Sequence, residues 1–279
     1  MIPTVKFPDG TIIPALGQGT WHMGESAAQA ATEEAALRAG IERGLTLIDT
    51  AEMYGAGGAE RVVAKAISGQ RDKVFVVSKV SPQNASTQGV EKSCAASLQR
   101  LGTDRIDLYL LHWPGRYPIE ETVAAFERLV AEGKIRFWGV SNFDTAGMKE
   151  IAALPAGANC ATNQVLYHPD QRGIEFDLMP WCRARGMPIM AYSPLGQAGR
   201  LLRSAALSAV GRRHGATPAQ IAIAWSLRDG NTISIPKASS TAHLQENAAA
   251  AEIRLTEQDL AEIDAGHRPP RGKSALEML

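Results

Sequence analysis

The sequence carries no excess charge of either sign: 29 Lys and Arg stand against 29 Asp and Glu in 279 residues. No long-range pull toward nucleic acid or an anionic membrane is therefore expected, and no Lys/Arg run stands out to supply a local one. Cysteine is scarce. Cys94, Cys160 and Cys182 are odd in number and far apart, which argues against a disulfide framework or a thiolate metal site and fits a reducing, cytoplasmic setting. No apolar run approaches a transmembrane span. The opening MIPTVKFPDGTIIPALG lacks a positive stretch followed by an apolar one, so it does not read as a secretory signal.

Nucleotide and metal motifs are also missing. There is no Walker A sequence. GQG at 17–19 lacks the spacing of a dinucleotide fingerprint. GAGG at 55–58 is incomplete and reads as a flexible turn into a helix. His22, His112 and His168 come with no HExxH or comparable cluster, so no metal is expected. Cys94 shares a helical face with Leu98 and Leu101, as a small core residue does.

What is present is alternation. VKFPDGTIIPALG predicts a β-hairpin around its DG turn. Short apolar runs then recur between helical segments: ALGQGTW, LTLID, KVFVVSK, DLYLLHW, IRFWGVS, CATNQV, MPIMAYSP and TISIPKA. The intervening segments, such as TEEAALRAGIERG and IEETVAAFERLVAEG, have helical spacing, and TAHLQENAAAAE and TEQDLAEIDAG close the chain as helices. Strands separated by helical crossovers lie parallel, and about eight such units can close on themselves. The expectation is an α/β fold, a (β/α)8 TIM barrel with an N-terminal β-hairpin, forming a single domain over residues 1–279. A doubly wound open sheet is the rival. It would usually have fewer strands, and a nucleotide site in it would need a glycine fingerprint after strand one.

Three of the apolar runs stop at ionisable groups. Asp49, Lys79 and His112 end strands two, three and four, and Tyr54 follows in the second loop. Ligands gather at the C-terminal ends of barrel strands, so these residues are candidate catalytic groups. Tyr54 would donate a proton to a carbonyl oxygen, with Lys79 lowering its pKa and Asp49 orienting Lys79. His112 would bond the substrate carbonyl or assist proton transfer. The blander readings are a turn-capping Asp49, a surface Tyr54, a Lys79 with a solvated head and a structural His112. Trp21 and Trp113 would flank a small carbonyl substrate, with His22 and Tyr117 nearby. Ser141, Asn142, Tyr192 and Lys237 also end strands; the blander reading of Ser141, Asn142 and Gln164 is loop capping.

GQGTW, DTAEMYGAGGAE, VSK, LLHW, GVSNF, NQVLYHP, AYSPL and IPKA…ENAAA together resemble the aldo-keto reductase family over roughly residues 5–265, most closely its bacterial methylglyoxal and aldehyde reductases. The resemblance implies direct hydride transfer from a nicotinamide cofactor to small aldehydes or ketones, such as methylglyoxal. Asp49, Tyr54, Lys79 and His112 match the family's catalytic four. Ser141, Asn142 and Gln164 match the residues that hold the carboxamide, and Tyr192 the residue that stacks on the nicotinamide. Ser193 and Leu195 fall where the pyrophosphate runs. Lys237, Ser239, Glu246 and Asn247 match the adenosine end, where His243 replaces a frequent arginine and Ala238 a frequent serine. Lys237 implies NADPH in preference to NADH. The short end RPPRGKSALEML implies a more open site. The expected partner is a small carbonyl substrate alone, met by a monomer. Two other readings stay open: a lyase or aldolase forming a Schiff base on Lys79 or Lys237, and a non-enzymatic NADPH-binding redox sensor.

Overall fold

The computed structural model describes residues 2–279. Strands β1 (Thr4–Lys6) and β2 (Ile12–Pro14) form the antiparallel hairpin. Its turn needs Gly10 at φ 91° and is fastened by Asp9, whose carboxylate accepts from Thr11 N–H at 2.9 Å. Eight parallel strands follow: β3 (Gln18–Gly19), β4 (Leu47–Asp49), β5 (Phe75–Val80), β6 (Ile106–Leu111), β7 (Ile135–Ser141), β8 (Cys160–Leu166), β9 (Ile189–Tyr192) and β10 (Thr232–Ser234). Each pairs with its sequence neighbours in the order β3 to β10. The two ends of this sheet meet: Gly17 N–H donates to Ser234 O at 2.9 Å, Ser234 N–H to Ala15 O at 2.7 Å, and Gly19 N–H to Pro236 O at 3.1 Å. The curled sheet closes as the expected barrel, with helices outside.

The period of two along each strand decides what faces inward. Leu47, Val77, Leu108, Leu110, Met190 and Ile233 form one buried cluster with Val5, Phe7 and Ile13 of the hairpin, which fixes the barrel interior and its floor. Ile48, Val76, Tyr109 and Val140 belong to a separate cluster shared with the helices. Counting two residues on from Leu47, Val77 and Leu110 gives Asp49, Lys79 and His112. All three therefore turn inward at the top of the barrel because of the strand pattern beneath them.

Two sequence expectations need correcting. The first helix spans Ala30–Glu42 and so begins two residues before the TEEAALRAGIERG segment, with Gln29 at its start. A ten-residue helix, Ala205–His214, lies where the strand–helix reading left a gap. Its cues are local: Ser204 caps the start, Gly215 ends it in the left-handed region, and Leu207, Val210 and Gly211 bury one face. Among the described residues no helix is long and apolar enough to cross a membrane.

Candidate active site

The four rim residues converge. Lys79, fully buried, donates from Nζ to Asp49 Oδ2 at 2.8 Å, to the Thr50 carbonyl at 2.8 Å and to Tyr54 Oη at 3.3 Å. The Tyr54 and His112 rings meet edge to face, with centroids 5.6 Å apart. Tyr54 is placed by an unusual turn: Gly55, Ala56 and Gly57 are all left-handed, and the helix Gly58–Ile67 begins directly after them. This is the GAGG segment expected to be flexible. Instead it is packed: a Cβ on Gly58 would fall onto the carbonyl of Gly24, and one on Gly57 onto the Arg100 side chain. Arg100 in turn pairs with buried Glu60 at 2.5 Å, which ties the new helix to its neighbour.

Burial alone would press the Lys79 ammonium down, but Asp49 and then Tyr54 outweigh it, and the group is held above its ordinary range. Tyr54 departs from expectation. Burial raises its pKa, the Lys79 charge opposes this, and Asp49 adds to the rise, so the net direction is upward. The phenol is therefore neutral at ordinary pH. Lys79 can only donate, so Tyr54 Oη accepts from it and the phenolic hydrogen is free to point elsewhere. Burial, then the Lys79 charge, lowers His112 to about 2. Its Nδ1 is buried without a hydrogen-bond partner.

Asp49, Tyr54 and His112 floor a cleft of about 320 Å³, with Lys79 buried beneath them. Trp21, Trp113, Ser141, Asn142, Gln164, Tyr192, Ser193 and Lys237 also line it. Asn142 is left-handed at φ 62°. Its Nδ2 donates to the His112 carbonyl at 3.1 Å and its Oδ1 accepts from Tyr192 Oη at 3.0 Å. Gln164 donates to Asp49 Oδ1 and to Met190 Sδ, each at 2.8 Å. Burial pushes Tyr192 up to about 12.

Other candidates lie outside the cleft lining. Leu195 packs against apolar clusters. Ser239, His243, Glu246 and Asn247 sit beyond Lys237, on or just before the helix Thr241–Ala249; His243 and Glu246 are exposed and Asn247 is buried. Ala238 is buried beside Leu244 and Leu16. Tyr117 packs at the core edge, and His22 stacks behind Trp21.

The reading missed Met53, Met278 and Leu279, all exposed apolar residues that line the cleft. Met53 was findable from its place beside Tyr54. The tail carries no periodicity that could have placed it. Leu279 N–H reaches Tyr192 Oη at 3.4 Å, so the short C-terminal segment leans over the site rather than leaving it open. Among the described residues no group of three or more His, Cys, Asp or Glu is placed to hold a metal.

Comparison with known proteins agrees with this geometry. The chain is 55% identical to the methylglyoxal reductase YeaE of Escherichia coli (strain K12) over 279 residues, covering 99% of this chain and 98% of that protein. It is 34% identical to the glyoxal reductase of Bacillus subtilis (strain 168) over 280 residues, covering 99% and 97%. A crystal structure of an aldo/keto reductase from Klebsiella pneumoniae in complex with NADP and acetate matches with a TM-score of 0.97 at 51% identity, over 100% of both chains. The model of the aldo/keto reductase family matches residues 15–267, and the chain belongs to that family.

Proposed function

We propose that this enzyme reduces small aldehydes and ketones, methylglyoxal among them, to alcohols with NADPH, and that Tyr54 is the proton donor. One observation carries the assignment of the acid: a buried ammonium, Lys79, contacts both Asp49 and a phenol that burial keeps protonated, and that phenol lines the cleft. NADPH bound in the cleft would supply the hydride. Tyr54 supplies the proton to the carbonyl oxygen, and Lys79 stabilises the phenolate left behind. His112, neutral far below physiological pH, orients the carbonyl by a hydrogen bond rather than relaying a proton.

The residues present suit NADPH. Ser141 and Asn142 offer polar atoms on the cleft floor, Tyr192 a half-buried ring, and Lys237 an exposed ammonium at the far side for a phosphate. Names among the relatives, methylglyoxal reductase and glyoxal reductase, support the substrate class. A Schiff base on Lys79 is disfavoured, because such chemistry needs a lowered lysine pKa and this one is raised. We read residues 1–279 as one working barrel, a cytoplasmic monomer with a small carbonyl substrate and no nucleic-acid or membrane partner. Balanced charge supports the absence of a nucleic-acid partner, and three buried free thiols support the reducing compartment.

The test is NADPH consumption with methylglyoxal, with alcohol formed in equal amount. No turnover across a panel of small aldehydes overturns the reading. Turnover as fast with NADH overturns the NADPH preference.

A further inference from the structure

The first rim loop holds a residue at odds with its own backbone. Met23 N–H donates to Thr20 O at 2.9 Å and closes a turn whose third residue, His22, has φ 62°. That position favours glycine or asparagine. The histidine ring lies against the indole of Trp21, with centroids 4.2 Å apart and planes 31° apart. Glu25 Oε1 holds its Nδ1 at 2.9 Å. His22 does not line the cleft, whereas Trp21 does, with 39% of its surface exposed.

The backbone around this stack is fixed. Met23 is fully buried, Gly24 N–H donates to Glu33 Oε2 at 2.9 Å, and Gly24 lies against Gly58. The remaining freedom of Trp21 is rotation of its side chain, and the imidazole, half-exposed and paired with Glu25, lies against the indole.

We propose that His22 is a specificity-determining positioning residue. Stacked on Trp21 and held by Glu25, it fixes the indole as a flat wall of the aldehyde subsite and favours carbonyl compounds with a planar substituent. The proposal rests on the carbonyl-reductase reading above. A wall already in place gains more from stacking than one that must be ordered on binding. A small aldehyde with no ring to stack gains little.

The test uses His22→Asn, since asparagine tolerates the left-handed backbone while losing the ring and its contact with Glu25. KM for benzaldehyde is expected to rise about fivefold, while KM for methylglyoxal and both kcat values move less than about twofold. In a Trp21→Ala background the same substitution is expected to do nothing further. Equal KM shifts for both aldehydes, or an undiminished shift without Trp21, overturn the proposal. Fluorescence gives a readout independent of turnover. Trp21 emission, taken as the difference on Trp21→Phe substitution, should change when His22 is replaced, and an unchanged emission also overturns the proposal. A wild-type enzyme that reduces neither aldehyde, while Trp21 emission still responds to His22, defeats the reductase reading and leaves the brace standing.

Discussion

Gln164 donates to Asp49 Oδ1 at 2.8 Å across the barrel interior, although the two are 115 positions apart. Their strands, β8 and β4, stand halfway round the ring from each other. The amide satisfies the carboxylate oxygen that Lys79 leaves free, since Lys79 takes the other one. The ion pair is thus fully bonded without water, as a buried pair must be if it is not to destabilise the fold.

Breaking that pair should be expensive. Lys79→Met leaves Asp49 buried without its cation, and a loss of about 3–5 kcal/mol is expected in urea unfolding. Adding Asp49→Asn should restore part of the stability but none of the activity. A single variant as stable as the wild type would show that Asp49 finds another partner.

Tyr54→Phe removes the proposed acid and leaves the ring. A fall in kcat of about 10²–10⁴-fold is expected, with the dissociation constant for NADPH unchanged. Because burial and Asp49 hold Tyr54 above its ordinary range against Lys79, wild-type activity should show no Tyr54-dependent loss until the pH exceeds about 10. An alkaline limb near neutrality would assign the proton to another group.

Acid should destabilise the protein through two histidines. Burial, then Lys79, lowers His112 to about 2. Burial lowers His168 to about 4 against the pull of Asp170. Both titrate near pH 6.5 when unfolded. Between those values the unfolded chain holds more protons, so their contribution is complete above about pH 6.5 and falls as the pH drops. Both act down to about 4, and His112 alone below that. Denaturant midpoints from pH 7.5 to 4.5 check this: His168→Asn should flatten the decline, and a midpoint that rises on acidification contradicts it.

Gly24→Ala should disturb the site from outside it. The new methyl would fall on the Gly58 backbone at the start of the helix that follows Tyr54, and the residue is left-handed at φ 70°. A stability loss of about 1–3 kcal/mol is expected, together with a drop in kcat. Wild-type stability would mean that the two loops part easily.

The meeting of Asp49, Lys79 and His112 was legible because it depends on local pattern. Strand alternation alone turns Asp49, Lys79 and His112 to the same side, and barrel closure does the rest. The direction of the Tyr54 shift was not legible, since it depends on burial created by neighbours distant in sequence. The helix Ala205–His214 carried its capping cues at Ser204 and Gly215 and was readable in principle. Met278 and Leu279 were not. Nothing in an aperiodic tail says which surface it returns to, and only tertiary packing brings it over Tyr192.

The hairpin β1–β2 has a consequence for access. Phe7 packs edge-on against Phe75 and Phe137 at the foot of the strands, with ring centroids 6.0 and 5.2 Å away. The barrel is therefore a cup rather than a tube: solvent, substrate and product share one mouth. Trp21, Met278 and Leu279 stand at that mouth, so the C-terminal tail shapes the same opening that the hairpin makes the sole approach from the strand ends.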